Sequence, residues 1–223
     1  MRTYRTFPLS LLLLWAMCVA PIGLHNAALA QTPKRETSTP YKGDLSIFDS
    51  PGREQRLHID RVMDILGLAP SKNVADIGAG PGWFTVRAAQ RVAPSGTVYA
   101  VDINPDAIPY IEQRAKKQSL GNVKTILSTP DDPKLPKDSV DAVLLLKTYH
   151  EVADPVALLE HLRPALRPGA RMGVIDRNGE AANHGIAQKI VVEEAARAGY
   201  QLVDTYDFVK DDGMDYFLVF TVK

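Results

Sequence analysis

From residue 49 onward, stretches with apolar residues at helical spacing alternate with short apolar runs. Residues 49–68 repeat at helical spacing, with Leu57, Val62, Ile65 and Leu66 as an apolar stripe closed by Gly67, Pro70 and Ser71. An apolar run over 73–78 predicts a buried strand, and 83–92 predicts a helix. Pro94-Ser95-Gly96 is a turn signal, after which 97–103 reads as a second buried strand. A helix over 105–119 carries Ile108 and Ile111 inward, and its basic end, Arg114-Ala115-Lys116-Lys117, suits the dipole. Further strands are expected over 123–128, 141–146 and 171–175. Asp154-Pro155 opens a helix to Arg167, with Leu158, Leu159, Leu162 and Leu166 inward and Pro168-Gly169 as its end. Another helix spans 184–198, closed by Gly199. The tail changes character, with strands at 200–209 and 215–222 joined by a polar turn at Asp211-Asp212-Gly213. Strand and helix in alternation, then a hairpin, predict an α/β fold. It is a doubly wound, seven-stranded, mostly parallel sheet with a C-terminal antiparallel hairpin.

The first thirty residues follow another pattern. Arg2 and Arg5 precede a strongly apolar stretch over 7–24, centred on Leu11-Leu12-Leu13-Leu14-Trp15. Ala28-Leu29-Ala30 then offers small residues for cleavage before Gln31. This predicts a secretory signal peptide over 1–30, the alternative being an uncleaved membrane anchor. Either way the rest of the chain lies outside the cytoplasm, periplasmic or secreted. Residues 31–48 are expected to be a flexible tether, and 49–223 one domain. Contact with a membrane is expected only through the N-terminal segment.

Composition narrows the function. Lys plus Arg number 26 and Asp plus Glu 26, so nothing points to a nucleic-acid partner. Cys18 is the one cysteine and sits within the apolar stretch, so a cleaved chain has no disulfide or thiol chemistry. The His and carboxylate spacings match no strong metal motif, and no metal ligand is expected.

The chemistry concentrates in Val74-Ala75-Asp76-Ile77-Gly78-Ala79-Gly80-Pro81-Gly82-Trp83-Phe84. A buried strand ends in a glycine-rich turn and opens a helix. Glycine lets the backbone turn sharply and approach a ligand closely. The N–H groups of the following helix start are unpaired and favour an anion, while Asp76 favours a cation. Asp102, twenty residues after Gly82, ends the second strand. An acid there accepts ribose hydroxyls in doubly wound folds. Asn104 is the better cap for the helix after Pro105, which leaves Asp102 for a ligand.

Asp76-x-Gly78-x-Gly80-x-Gly82 resembles the first motif of the class I S-adenosylmethionine-dependent methyltransferases, D/E-x-G-x-G-x-G. It differs from the G-x-G-x-x-G dinucleotide fingerprint. The element order from Asp49 to the C-terminus and the run from Pro164 to Arg171 are similar to that family too. Within it, Asp131-Asp132-Pro133-Lys134-Leu135-Pro136 and Tyr149-His150 resemble a small ubiquinone-biosynthesis-like, type 11-like group. The resemblance implies a Rossmann-like methyltransferase fold and S-adenosylmethionine as cofactor. It implies that Asp76, Gly78, Ala79, Gly80 and Gly82 hold the amino-acid part, Asp102 the ribose hydroxyls, Ile103 a further part of the cofactor, and Leu146 and Lys147 the cofactor through backbone. Asp131 is expected near the adenine amino group, the alternative being a turn residue bonding its own loop. Tyr149 and His150 are expected to face the transferred methyl group. His150 serves as base, the alternative being a packing role. Arg53 and Arg56 either cap the pocket or are exposed helix charges.

The resemblance, taken with the predicted N-terminal signal segment, gives the expectation of an exported methyltransferase acting on a small-molecule or protein acceptor. A repair methyltransferase for isoaspartyl groups and a non-catalytic adenosyl-binding protein are the alternatives.

Overall fold

The computed structural model describes residues 1, 3, 35, 37, 43–180, 183–210 and 213–223. The chain divides into Met1–Gln31 and Thr32–Lys223. The expected signal segment therefore lies outside the described residues, apart from Met1 and Thr3.

The larger unit is built on seven strands: β1 Val74–Ile77, β2 Val98–Asp102, β3 Val123–Leu127, β4 Val140–Leu146, β5 Leu166–Arg177, β6 Tyr200–Tyr206 and β7 Asp215–Val222. They lie in the order β3-β2-β1-β4-β5-β7-β6. The first five run parallel. β7 inserts antiparallel between β5 and β6, so it alone reverses direction. The expected architecture holds, including the closing hairpin.

The helices are α1 Arg53–Leu57, α2 Ile59–Leu66, α3 Trp83–Val92, α4 Ala107–Lys117, α5 Pro155–Leu162 and α6 Gln188–Arg197. Alternation along β4 splits the core into two layers. Val143 and Leu145 pack with Leu158, Leu159 and Val191 of α5 and α6. Ala142, Leu144 and Leu146 pack with Val62, Leu66, Phe84 and Ala88 of α2 and α3. β1 is covered on both faces and is buried along its whole length, Asp76 included.

Four expectations change. The helix over 49–68 breaks at His58, whose φ of 47° separates α1 from α2. The helix expected to reach Arg167 ends at Leu162, because Pro164 brings no N–H to the ladder and the chain tightens into a 3-10 turn at Arg163–Ala165. Pro168-Gly169 then falls within β5, where the register against β4 shifts. The helix expected from His184 starts at Gln188, because Ile186 donates its N–H to the Arg177 carbonyl at 2.8 Å and holds the chain against β5.

The fourth change concerns the tether. A 3-10 turn spans Leu45–Phe48, capped by Asp44, whose carboxylate accepts the Ser46 N–H at 2.9 Å. Leu45 is buried against Ala79, Ala100, Ala107 and Ile111. Arg35 is fixed as well: its N–H donates to the Ala153 carbonyl at 3.0 Å and its guanidinium pairs with Glu194 at 2.8 Å. These residues belong to the fold, since apolar Leu45 and a paired Arg35 gain more from packing than from solvent.

Candidate functional site

The turn between β1 and α3 is the centre of the site. The N–H groups of Gly78 and Ala79 both donate to the Val101 carbonyl, at 2.8 and 3.0 Å, and tie the turn to β2. Gly78, Gly80 and Gly82 have φ of 72°, 52° and 74°, the left-handed region. At Gly78 the requirement is also steric, because a Cβ there would lie 2.2 Å from Cγ2 of Thr148. At Gly80 nothing stands within 4 Å of the Cβ position, so its backbone faces open space.

Two carboxylates flank this turn. Asp102 at the end of β2 accepts the Gly80 N–H on Oδ2 at 2.7 Å and the Asn104 N–H on Oδ1 at 2.8 Å. Asp76, 2% exposed, accepts the Thr85 hydroxyl at 2.6 Å. Burial pushes the Asp76 carboxyl up to about 7. The Thr85 hydrogen bond opposes this, the charge of Asp102 adds to it, and the Arg53 guanidinium pulls the other way. Arg53 is itself buried, lies 4.6 Å from the Trp83 ring centre and donates to the Phe48 carbonyl at 3.0 Å.

A cavity of about 350 Å³ opens here, beyond the carboxyl ends of β1, β2 and β4. Asp76, Gly78, Ala79 and Gly80 form one wall, and Asp102, Ile103, Leu146 and Lys147 form another. Lys147 contributes backbone: its φ is 57°, its N–H donates to the Ile175 carbonyl at 2.8 Å, and its ammonium pairs with Asp215. Gly82 stands one step behind, packed on Ile111 at the start of α3.

Besides Gly82, three expected residues lie off the cavity wall. Asp131 bonds within its own loop: its Oδ1 accepts the Thr129 hydroxyl at 3.1 Å, and its carbonyl accepts from His161 Nδ1 at 2.6 Å. The structure thus places it as a turn residue, with Ser128, Thr129, Pro130 and Pro133 on the wall instead. Tyr149 points into the core and is fully buried. Its hydroxyl donates to Glu194 at 3.0 Å. Burial and the Glu194 charge hold its phenol well above the ordinary value, so it is no base near neutral pH. His150 turns toward β5, where Nδ1 meets Asp176 Oδ1 at 2.8 Å and the backbone N–H donates to Oδ2 at 3.0 Å.

The reason is the 3-10 turn Tyr149–Glu151. With three residues per turn, three successive side chains point three ways. Tyr149 enters the core, His150 meets Asp176, and Glu151 reaches the cavity wall. Burial raises the Glu151 carboxyl above its ordinary range, opposed by His150 and His184. Sequence reasoning located this segment but missed Glu151, the residue that reaches the cavity. It also missed Leu45, Phe48, Trp83 and Thr148 on the wall. Arg53 lines the cavity, as its capping reading expects, whereas Arg56 bonds the nearby Pro51 carbonyl and Ser50 hydroxyl.

Comparison with known proteins adds a family. A family model described as a methyltransferase domain matches residues 68–205. Nocamycin O-methyltransferase of Saccharothrix syringae is 31% identical over 129 residues, which cover 57% of this chain and 46% of that protein. A protein-L-isoaspartate O-methyltransferase of Pyrococcus horikoshii is 28% identical over 103 residues, 46% of this chain and 45% of that one. The chain spans about half the length of these curated relatives. Among solved structures, a SAM dependent methyltransferase from Aquifex aeolicus superposes with a TM-score of 0.74 at 24% identity, covering 82% of this chain and all of that one. At that identity the likeness speaks for the fold.

Proposed function

The chain belongs to the S-adenosylmethionine-dependent methyltransferase family, and on that premise we propose that it is an exported enzyme that methylates a small molecule. The observation that carries this reading is the cavity walled by the Gly78–Gly80 backbone, Asp76 and Asp102.

The residues present fit the cofactor. Gly80 leaves room for close approach of a ligand to the backbone. Asp102 has given one acceptor position on each oxygen to backbone, and a carboxylate offers about four. It therefore retains capacity for ribose hydroxyls. Ile103 and Leu146 offer apolar surface for a base, and Asp76 a carboxylate for a cationic group. When bound, the cofactor supplies a methyl group activated by its sulfonium. The chain's own contribution is alignment, which can be worth several kcal/mol. Leu45 and Phe48 wall the cavity on the N-terminal side, which supports a small acceptor over a folded protein surface. Export rests on the composition of residues 1–30 alone.

Calorimetric titration with S-adenosylhomocysteine tests the cofactor site. Binding is expected, and its absence would overturn the reading. Methylation assays separate the acceptors: turnover of isoaspartyl peptides would favour the repair reading, and turnover of small molecules the one proposed. Fractionation with N-terminal sequencing tests export, and a processed chain beginning at Gln31 is expected outside the cytoplasm.

A further inference from the structure

We propose that His150, Glu151 and His184 form a binding site for a divalent transition-metal ion at the edge of the cavity. Each offers one ligand atom, and these atoms lie within 4.8 Å of one another. His150 Nε2 stands 3.8 Å from Glu151 Oε1. The His184 ring stands edge-on to His150 with centres 6.0 Å apart.

The surroundings of His150 suit a ligand. Asp176 is fully buried and accepts both the backbone N–H and the Nδ1–H of His150. That bond fixes the ring and its tautomer, and turns the Nε2 lone pair toward Glu151 and His184. A carboxylate behind the distal nitrogen is the usual support of a metal-bound histidine. Two imidazoles and one carboxylate form a donor set for first-row divalent ions and leave coordination positions open.

The spacing asks for a small closure. Ligand bonds of about 2.0–2.2 Å put tetrahedral donors roughly 3.3–3.6 Å apart. His184 is the group able to move, being exposed on the loop between β5 and α6 at a φ of 49°. Glu151 is on the cavity wall, so a bound ion lies beside the space where an acceptor enters. The two histidines are far apart in sequence, and no local spacing reveals the set. This inference concerns binding alone and does not depend on methyl transfer.

The competing account is a purely structural cluster, the His150 ring held between the Asp176 and Glu151 carboxylates with no ion. The test uses the full chain without an affinity tag, stripped with chelator. It is titrated with cobalt(II), followed by visible absorption, and with zinc, followed by calorimetry. One ion per chain is expected. His184→Ala, an exposed change that leaves the core intact, should weaken binding about tenfold or more. Glu151→Gln should do the same, and His161→Ala, a histidine on α5 away from the set, should leave it unchanged. Absence of stoichiometric binding, or wild-type affinity in His184→Ala, overturns the proposal. Thermal melts confirm that each variant is folded.

Discussion

Asp102 Oδ2 accepts the backbone N–H of Gly80 at 2.7 Å, so the acid that ends β2 also holds the glycine turn that follows β1. Ligand recognition and loop position are coupled in one side chain.

Asp102→Ala should therefore show two losses. The Gly80 and Asn104 N–H groups lose their acceptor, at a cost of about 1–3 kcal/mol in stability. Affinity for S-adenosylhomocysteine should fall at least about tenfold, since charge-assisted bonds contribute about 1.5–3 kcal/mol. Asp102→Asn keeps one acceptor oxygen and should lose less stability. Denaturant titration and calorimetry read the two effects separately. Unchanged affinity in Asp102→Ala would remove this residue from the cofactor site.

Gly78→Ala meets two obstacles. The new methyl lies 2.2 Å from Thr148 Cγ2, and the φ of 72° disfavours any L side chain. Overpacking costs about 1–3 kcal/mol and the left-handed conformation roughly 1–2 kcal/mol more. Adding Thr148→Ala removes the closest atoms but leaves Thr148 Cβ, 2.9 Å away, and the backbone strain. The double variant should recover part of the melting temperature, and full recovery would show that strain at Gly78 is negligible.

The legible features were those set by local chemistry. Three glycines with an acid two residues ahead demand one kind of turn, and two strand-like runs on either side of a polar turn demand a hairpin. Asp76 and Asp102 were legible because strand ends in this topology open onto one crevice. Legibility stopped where tertiary partners decide direction. Tyr149 turns inward because Glu194, on α6, waits for its hydroxyl. Nothing near Tyr149 in sequence announces that. Asp131 follows its own loop because Thr129 and His161 hold it there. Leu45 in a polar stretch gave no periodic signal, yet its burial brings the N-terminal segment to the cavity.

Tyr149→Phe separates a packing role from a catalytic one. The hydroxyl donates to Glu194, which Arg35 also pairs, and it stands away from the cavity. Losing it should cost about 1–2 kcal/mol in stability and leave kcat within about twofold. Once an acceptor is in hand, steady-state kinetics with melting curves decide. A hundredfold fall in kcat with normal stability would return Tyr149 to the reacting groups.

Asp76 makes stability depend on pH. In the folded chain its carboxyl holds a proton up to about pH 7, because burial penalises the charge more than Thr85 and Arg53 favour it. In the unfolded chain it ionises near about 3.9. Between these values the folded state binds the extra proton, so this group's contribution is complete below about pH 4 and lost as pH rises through about 7. Asp76→Asn keeps an oxygen for the Thr85 hydroxyl and cannot titrate. Denaturant titrations at pH 5 and pH 8 should show wild type losing on the order of 2 kcal/mol more than the variant across that interval. Other titrating groups are common to both chains and cancel in the difference. An equal loss in both would mean that Asp76 is already ionised at pH 5, and that the cleft offers a carboxylate to a cationic ligand at no cost in folding.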